Sequence, residues 1–303
     1  MKPSCSIGQN AQMACQMEVL APKPGNVYPG ADWNYSDLTT MDFLKSANAI
    51  RKPFDQSACQ NLGDLILSAV SSTQSLVQTN TNLGQILLLA PLVKASAEFG
   101  EINQKSVEKI ISVTTAEDSN KVYQAIALAK PGGMGQVDQE DIHQPPSLSL
   151  RQVMALASQR DTIALQYTNG FSDVLDFGMS RVTQIWANTP LWTDAVVRLF
   201  LEYLACIPDS LISRKCGQEM AHCVSATARE ILNLEFQDGS YQEAIQTFDR
   251  WLRDDGNRRN PGTTADLVTA TLFVAIQLDK IPVPPDLELL VSGFFSTLNG
   301  NDK

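Results

Sequence analysis

Asp266 sits in the first turn of a segment, residues 267–276 (LVTATLFVAI), that is apolar or small on nearly every side. A carboxylate there is costly unless it is paired or bound to a metal, which makes it the first candidate for chemistry beside the plainer role of helix-dipole partner. Asp209, in Pro208-Asp-Ser210, opens a second helix on which Ser213 shares its face, while Arg214 and Lys215 diverge by about 100°. Lys23 lies between Pro22 and Pro24, and the residue before a proline is held extended, so the pair of prolines predicts a rigidly presented cation. Four further polar clusters stand at or before helix starts: Pro22-Lys-Pro-Gly-Asn26, Thr79-Asn-Thr-Asn-Leu-Gly84, Pro131-Gly-Gly-Met-Gly135 and Asn260-Pro-Gly-Thr-Thr-Ala-Asp266. Each could be ordinary capping and turn chemistry. Their accumulation, with carboxylates among them, points to helix N-termini gathered around a phosphate-bearing ligand.

The residue inventory narrows the chemistry. Six cysteines (5, 15, 59, 206, 216 and 223) include no C-x-x-C pair, so a zinc ribbon or thioredoxin-like site is disfavoured and free thiols are expected. With only His143 and His222, a His-rich metal site is excluded, and any metal must take oxygen ligands, as magnesium does. No G-x-x-x-x-G-K-[ST] occurs, and Gly132-Gly-Met-Gly135 follows no strand, so the standard nucleotide fingerprints are missing. Asp254-Asp255 reads as a solvated face, and so does the stripe of Gln166, Asn169 and Asp173. A net charge of −10 argues against nucleic-acid binding. No apolar run approaches the roughly 20 residues that span a bilayer, and the start of the chain has no secretory h-region, which predicts a cytoplasmic protein away from membranes. The oligomeric state, homo-oligomer included, stays open.

The elements that must position these residues are helical. The 3.6-residue periodicity predicts helices over 9–20, 41–52, 58–78, 83–98, 105–113, 116–130, 149–185, 193–206, 209–234, 240–254, 262–280 and 286–298, with almost no strand-like alternation. Thr115-Ala-Glu-Asp118 reads as a capping box, Pro208 and Pro261 as first helical residues, and Pro91 as a kink or stop. Residues 85–93 (QILLLAPLV) and 267–276 are apolar enough to be buried on every side, so other helices must wrap them. The expectation is one all-α domain over residues 1–303, with 131–148 as the longest irregular segment.

In order along the chain, Glu18-Val-Leu-Ala-Pro-Lys-Pro-Gly-Asn-Val27, Asp37 with Phe43-Leu-Lys-Ser-Ala47, Asn80-Thr-Asn-Leu-Gly84, Pro208-Asp-Ser-Leu-Ile-Ser-Arg214 and Asn260-Pro-Gly-Thr-Thr-Ala-Asp-Leu267 resemble the triphosphoribosyl-dephospho-CoA synthase family. The resemblance implies an all-helical, cytoplasmic enzyme that transfers the 5-triphosphoribosyl group of ATP to dephospho-CoA and releases adenine. The product is a precursor of the citrate lyase and malonate decarboxylase prosthetic group. It further implies Asp37, Asp209 and Asp266 as catalytic carboxylates, the last two holding magnesium or stabilising positive charge. Lys23 and Arg214 would meet phosphates, and Gly25, Asn26, Asn80, Thr81, Gly262 and Thr263 would line the nucleotide. Departures from the citrate-lyase branch are specific: its Asn-Thr-His-Lys-Gly is Asn80-Thr-Asn-Leu-Gly84 here, its Arg-Gly-Gly is Arg214-Lys-Cys-Gly217, and a His near position 37 is Tyr35. The alternatives are a diverged member acting on another coenzyme precursor, such as a methanopterin-type one-carbon cofactor, and a non-catalytic nucleotide-binding protein.

Overall fold

Fifteen α-helices, with no strand among the described residues, make up the computed structural model, which describes residues 5–30, 38–131, 146–235 and 239–300. They are α1 (Ile7–Leu20), α2 (Thr40–Asp55), α3 (Leu62–Gln74), α4 (Leu83–Phe99), α5 (Gln104–Ser112), α6 (Ala116–Ala129), α7 (Leu150–Ala157) and α8 (Thr162–Asn169). There follow α9 (Met179–Asn188), α10 (Trp192–Cys206), α11 (Ser210–Cys216), α12 (Gln218–Leu232), α13 (Gly239–Arg253), α14 (Gly262–Gln277) and α15 (Leu287–Gly300). No single helix among the described residues is long and apolar enough to cross a membrane.

The two helices expected at the centre are there. Every residue of 267–276 in α14 and of 85–93 in α4 is buried, and the two helices pack on each other. Around them lie α1, α8, α9, α10 and α11, and their apolar side chains join one contiguous core. A helix with no polar face can sit only inside such a shell, which is why the all-round apolar pattern was diagnostic.

Several boundaries differ from the periodicity. The run 149–185 is broken into α7, α8, a π-helical turn over Asp173–Gly178 and α9. Gly170 and Phe171 take positive φ (70° and 59°), and Asp161 caps α8 afresh by accepting from the amides of Ile163 and Ala164. Gly217, at φ 89°, divides 209–234 into α11 and α12. Pro91 neither stops nor ends α4, which continues to Phe99. Pro208 precedes the N-cap of α11 and Pro261 is itself the N-cap of α14, so both stand outside the first helical position assigned to them. Gln166 is fully buried and donates to Asp173 at 2.5 Å, while Asn169 and Asp173 are half-buried, so the stripe runs into the interior at Gln166 and is not a wholly wetted face. The capping box at Thr115 is formed, and Asp118 also accepts from the Gly63 amide at 2.9 Å, tying α6 to α3.

Candidate functional site

Helix N-termini gather at one end of α14. Asp209 is the N-cap of α11, its Oδ1 accepting from the amides of Leu211 (2.8 Å) and Ile212 (3.0 Å). Its Oδ2 accepts from both the amide and the hydroxyl of Thr264, each at 2.8 Å, so one carboxylate caps α11 and binds the first turn of α14. Only 1% of Asp209 is exposed, and burial pushes its carboxyl upward against the pull of those four donors. The neighbouring Ser210 hydroxyl meets that of Thr263 at 3.1 Å and accepts from the Thr162 amide at 3.3 Å, which brings the start of α8 to the same place. Arg214 reaches back to Asp161, the α8 cap, in a short ion pair.

Asp266 lies one turn into α14 at this junction, half-buried. Among the described residues it accepts no hydrogen bond and forms no ion pair. Its carboxylate rests against the backbone of Gly84 at the start of α4, where any Cβ would overlap it. Loss of hydration is the main cause that holds the Asp266 carboxyl well above the usual carboxylate range. Glu18, Asp209 and Asp161 push it the same way, and the Arg214 guanidinium opposes them. A half-buried, unpartnered carboxylate among other carboxylates is unfavourable to the fold, and such strain is characteristic of functional positions.

The loop after α1 forms the adjoining wall. Lys23 is fully enclosed (0% exposed), so it is not the presented cation that its flanking prolines predicted. Its ammonium pairs with Glu18 at 3.0 Å and donates to the carbonyls of Glu18, Ala21 (3.1 Å) and Val27 (3.5 Å), which curls residues 21–27 around it. Glu18 also accepts from Gln85 at 3.1 Å, and Gln85 donates to Thr269 of α14 at 3.1 Å. Burial pushes Glu18 up and Lys23 down, each held back by the other's charge. Gly25, at φ 72°, donates its amide to Asp249 at 2.7 Å and approaches Leu252 too closely for a side chain. Asn26 donates to Asn260 at 3.1 Å, joining this loop to the turn before α14.

The structure therefore brings Gly25, Asn26, Asp209, Arg214, Gly262, Thr263 and Asp266 to one end of α14. Asn80 and Thr81 serve the start of α4: Asn80 accepts from the Leu83 amide at 3.2 Å, and the Thr81 hydroxyl meets that of Ser46 at 2.5 Å. Asp37, Tyr35, His143 and the glycines at 132, 133 and 135 lie outside the described residues. Asn82 and Leu83, where the citrate-lyase branch has His and Lys, are both buried, and Asn82 donates to Thr73 at 3.2 Å. Sequence reasoning passed over Glu18, Asp161 and Arg259 as site residues, whereas Lys215 was already legible beside Lys23 and Arg214 as a local cation for a polyanion. For Arg259 a signal existed, since it directly precedes the Asn260-Pro-Gly-Thr-Thr motif.

A metal fits here in a limited way. Among the described residues no group of three His, Cys, Asp or Glu side chains could hold an ion. Asp209 has its four accepting positions engaged, whereas Asp266 has its oxygens unengaged. Magnesium characteristically keeps waters and substrate phosphates as ligands beside one or two carboxylates, so the set suits an ion arriving with a nucleotide and not a resident one. A cavity of about 590 Å³ opens elsewhere, lined by Gln104, Asp176, Val274 and Leu278. Val274 lies about 12 Å along α14 from Asp266, so that cavity is separate from the motif cluster.

The arrangement is an all-helical core that gathers helix N-termini, which favour anionic groups, around one unpartnered carboxylate. The CitG family profile, ATP:dephospho-CoA triphosphoribosyl transferase, matches residues 4–282, and the chain belongs to that family of transferases. A crystal structure of a candidate triphosphoribosyl-dephospho-CoA synthase from Archaeoglobus fulgidus has the same fold. It is similar with a TM-score of 0.60 at 24% identity, over 77% of this chain and 97% of that one. No curated protein matches the chain.

Proposed function

We propose that the end of α14 is where this chain performs the transfer named by its family. In that reaction the 2′-hydroxyl oxygen of dephospho-CoA forms a bond to C1′ of the ATP ribose. The C1′–N9 bond breaks with its electron pair going to the base, and the base takes up one proton to leave as adenine while the hydroxyl gives one up, so no net proton is lost. Positive charge develops on the ribose as the glycosidic bond opens, and a fixed carboxylate nearby stabilises it. Asp266 is assigned that role, and its raised proton affinity also suits it to accept the hydroxyl proton. Asp209 is assigned to positioning: it fixes the starts of α11 and α14 relative to each other. Gly262, Thr263, Gly25 and Asn26 line the nucleotide, with Asn80 and Thr81 shaping the approach through α4. Magnesium would come with the triphosphate, with Asp266 as the protein carboxylate open to it. Asp37 is kept as a further acidic residue from a matching motif.

The observation that carries this reading is Asp266, the carboxylate at the junction left without a partner. The test is adenine release from ATP and magnesium, followed by chromatography with and without dephospho-CoA. Adenine appearing only with dephospho-CoA is the expected result. Release that ignores dephospho-CoA would retain the glycosyl chemistry and redirect the search to another acceptor. ATP bound with no adenine under either condition would overturn the reading.

A further inference from the structure

An acidic chain that holds a polyanionic nucleotide needs cations set apart for it, and most cations near the end of α14 are already engaged. Lys23 is enclosed, as described above, and Arg214 is locked to Asp161. Arg253 pairs with Asp249 at 2.9 Å and donates to the Asn26 carbonyl at 2.5 Å. Two cations differ. Among the described residues the side chains of Lys215 and Arg259 have no carboxylate partner. The guanidinium of Arg259 lies over the Trp251 ring, 4.6 Å from its centroid, and its Nε is buried with no acceptor.

A buried guanidinium N–H with nothing to accept it is unfavourable unless a ligand supplies the acceptor. The aromatic face restricts the group to one plane, the arrangement in which arginine grips phosphate oxygens best. The position is also the relevant one. Arg259 immediately precedes Asn260 and the turn into Gly262 and Thr263, while Arg258 donates to the Lys215 carbonyl at 2.5 Å and so brings the end of α11 to the same segment. The partial positive charge of the α14 N-terminus adds to the field there.

We infer that Arg259, supported by Lys215, forms the subsite for the triphosphate of the nucleotide substrate, in place of the enclosed Lys23 and the locked Arg214. This rests on the transferase reading for the identity of the nucleotide, but the subsite itself recognises a linear polyphosphate.

The test is calorimetric titration of the full chain with inorganic tripolyphosphate, with adenosine as the uncharged control, for wild type, Arg259→Gln, Arg259→Lys and Lys215→Gln. Loss of one charged hydrogen-bonding group predicts about a ten-fold or greater weakening of tripolyphosphate binding in both Gln variants. Adenosine binding stays unchanged, Arg259→Lys recovers part of the affinity, and raising salt weakens the wild type towards the variants. Tripolyphosphate that fails to bind wild type, or binds Arg259→Gln and Lys215→Gln as tightly, overturns the subsite. If Arg259→Gln proves unfolded by circular dichroism, the Lys215→Gln comparison decides alone. Adenine release separates the two readings. Arg259-dependent tripolyphosphate binding in a chain that releases no adenine leaves the subsite standing and the transferase fallen. Normal release with an unchanged KM for ATP in Arg259→Gln does the reverse.

Discussion

Two buried polar regions meet at the end of α14 and are built on opposite terms. In the first, Glu18 and Lys23 lie wholly inside, and each is matched: the ammonium by a carboxylate and three carbonyls, the carboxylate by that ammonium and Gln85. In the second, Asp266 is less deeply buried yet has no partner among the described residues, and a glycine backbone is pressed against it. The first region fixes a shape, because removing any member leaves a charge stranded. The second holds a charge ready for something that arrives. Burial alone therefore does not mark a functional carboxylate; burial without satisfaction does.

The largest expected effect breaks the matched region. Lys23→Met leaves Glu18 uncompensated and should cost about 3–5 kcal/mol of stability, read from urea unfolding. The double variant Glu18→Gln/Lys23→Met should regain most of it; a double variant as weak as the single one would show that the pair is not the unit.

Asp266→Asn should give the opposite pairing of outcomes. Adenine release falls about 10²–10³-fold, while thermal stability at neutral pH rises. The sign follows from proton linkage: with its carboxyl raised above the ordinary 3.8, the folded state holds the proton where the unfolded chain has already lost it. Stability therefore falls as pH climbs from about 3.8 towards and through the folded-state value, and what is lost over that window stays lost above it. The melting difference between variant and wild type should be near zero in acid and grow through that window. A neutral-pH melting temperature lower in the variant would mean that Asp266 has a partner after all.

Gly84→Ala sharpens the comparison by moving the carboxylate without removing it. The added methyl overlaps Asp266, and displacement of a reacting group by about 1 Å can reduce turnover about 10²-fold. In an Asp266→Asn background the same change should add little, since the two act through one contact. At the small end, Arg151 and Glu108 pair at 2.7 Å on the surface with both side chains about half exposed. Arg151→Ala should change stability by no more than about 1 kcal/mol and leave adenine release untouched, which makes it the control.

Much of this was legible in one dimension. The all-round apolar runs announced α4 and α14 as central, because a helix without a polar face has nowhere else to go. Asp266 stood out as a carboxylate entering such a helix, and the Thr115 capping box was visible as a short local pattern. Helix breaks were less legible: the positive φ at Gly170, Phe171 and Gly217 interrupts runs whose periodicity continues on either side. Lys23 was the clearest reversal. Its flanking prolines fix the local backbone, but whether the ammonium meets solvent depends on Glu18 one turn back and on Val27 ahead, and the loop closes over it only when folded.

The sequence by itself determined the class of fold, the family and the small set of carboxylates and cations that could act, because periodicity, caps and motif spacing are local. Only the tertiary structure decided which of those charges are already answered. Asp209 and Lys23 looked as available as Asp266 in the chain, yet their partners, Thr264 and Glu18, come from packing and fill their hydrogen-bonding positions. A charge's freedom is a property of its surroundings in three dimensions, and no spacing along the chain encodes it.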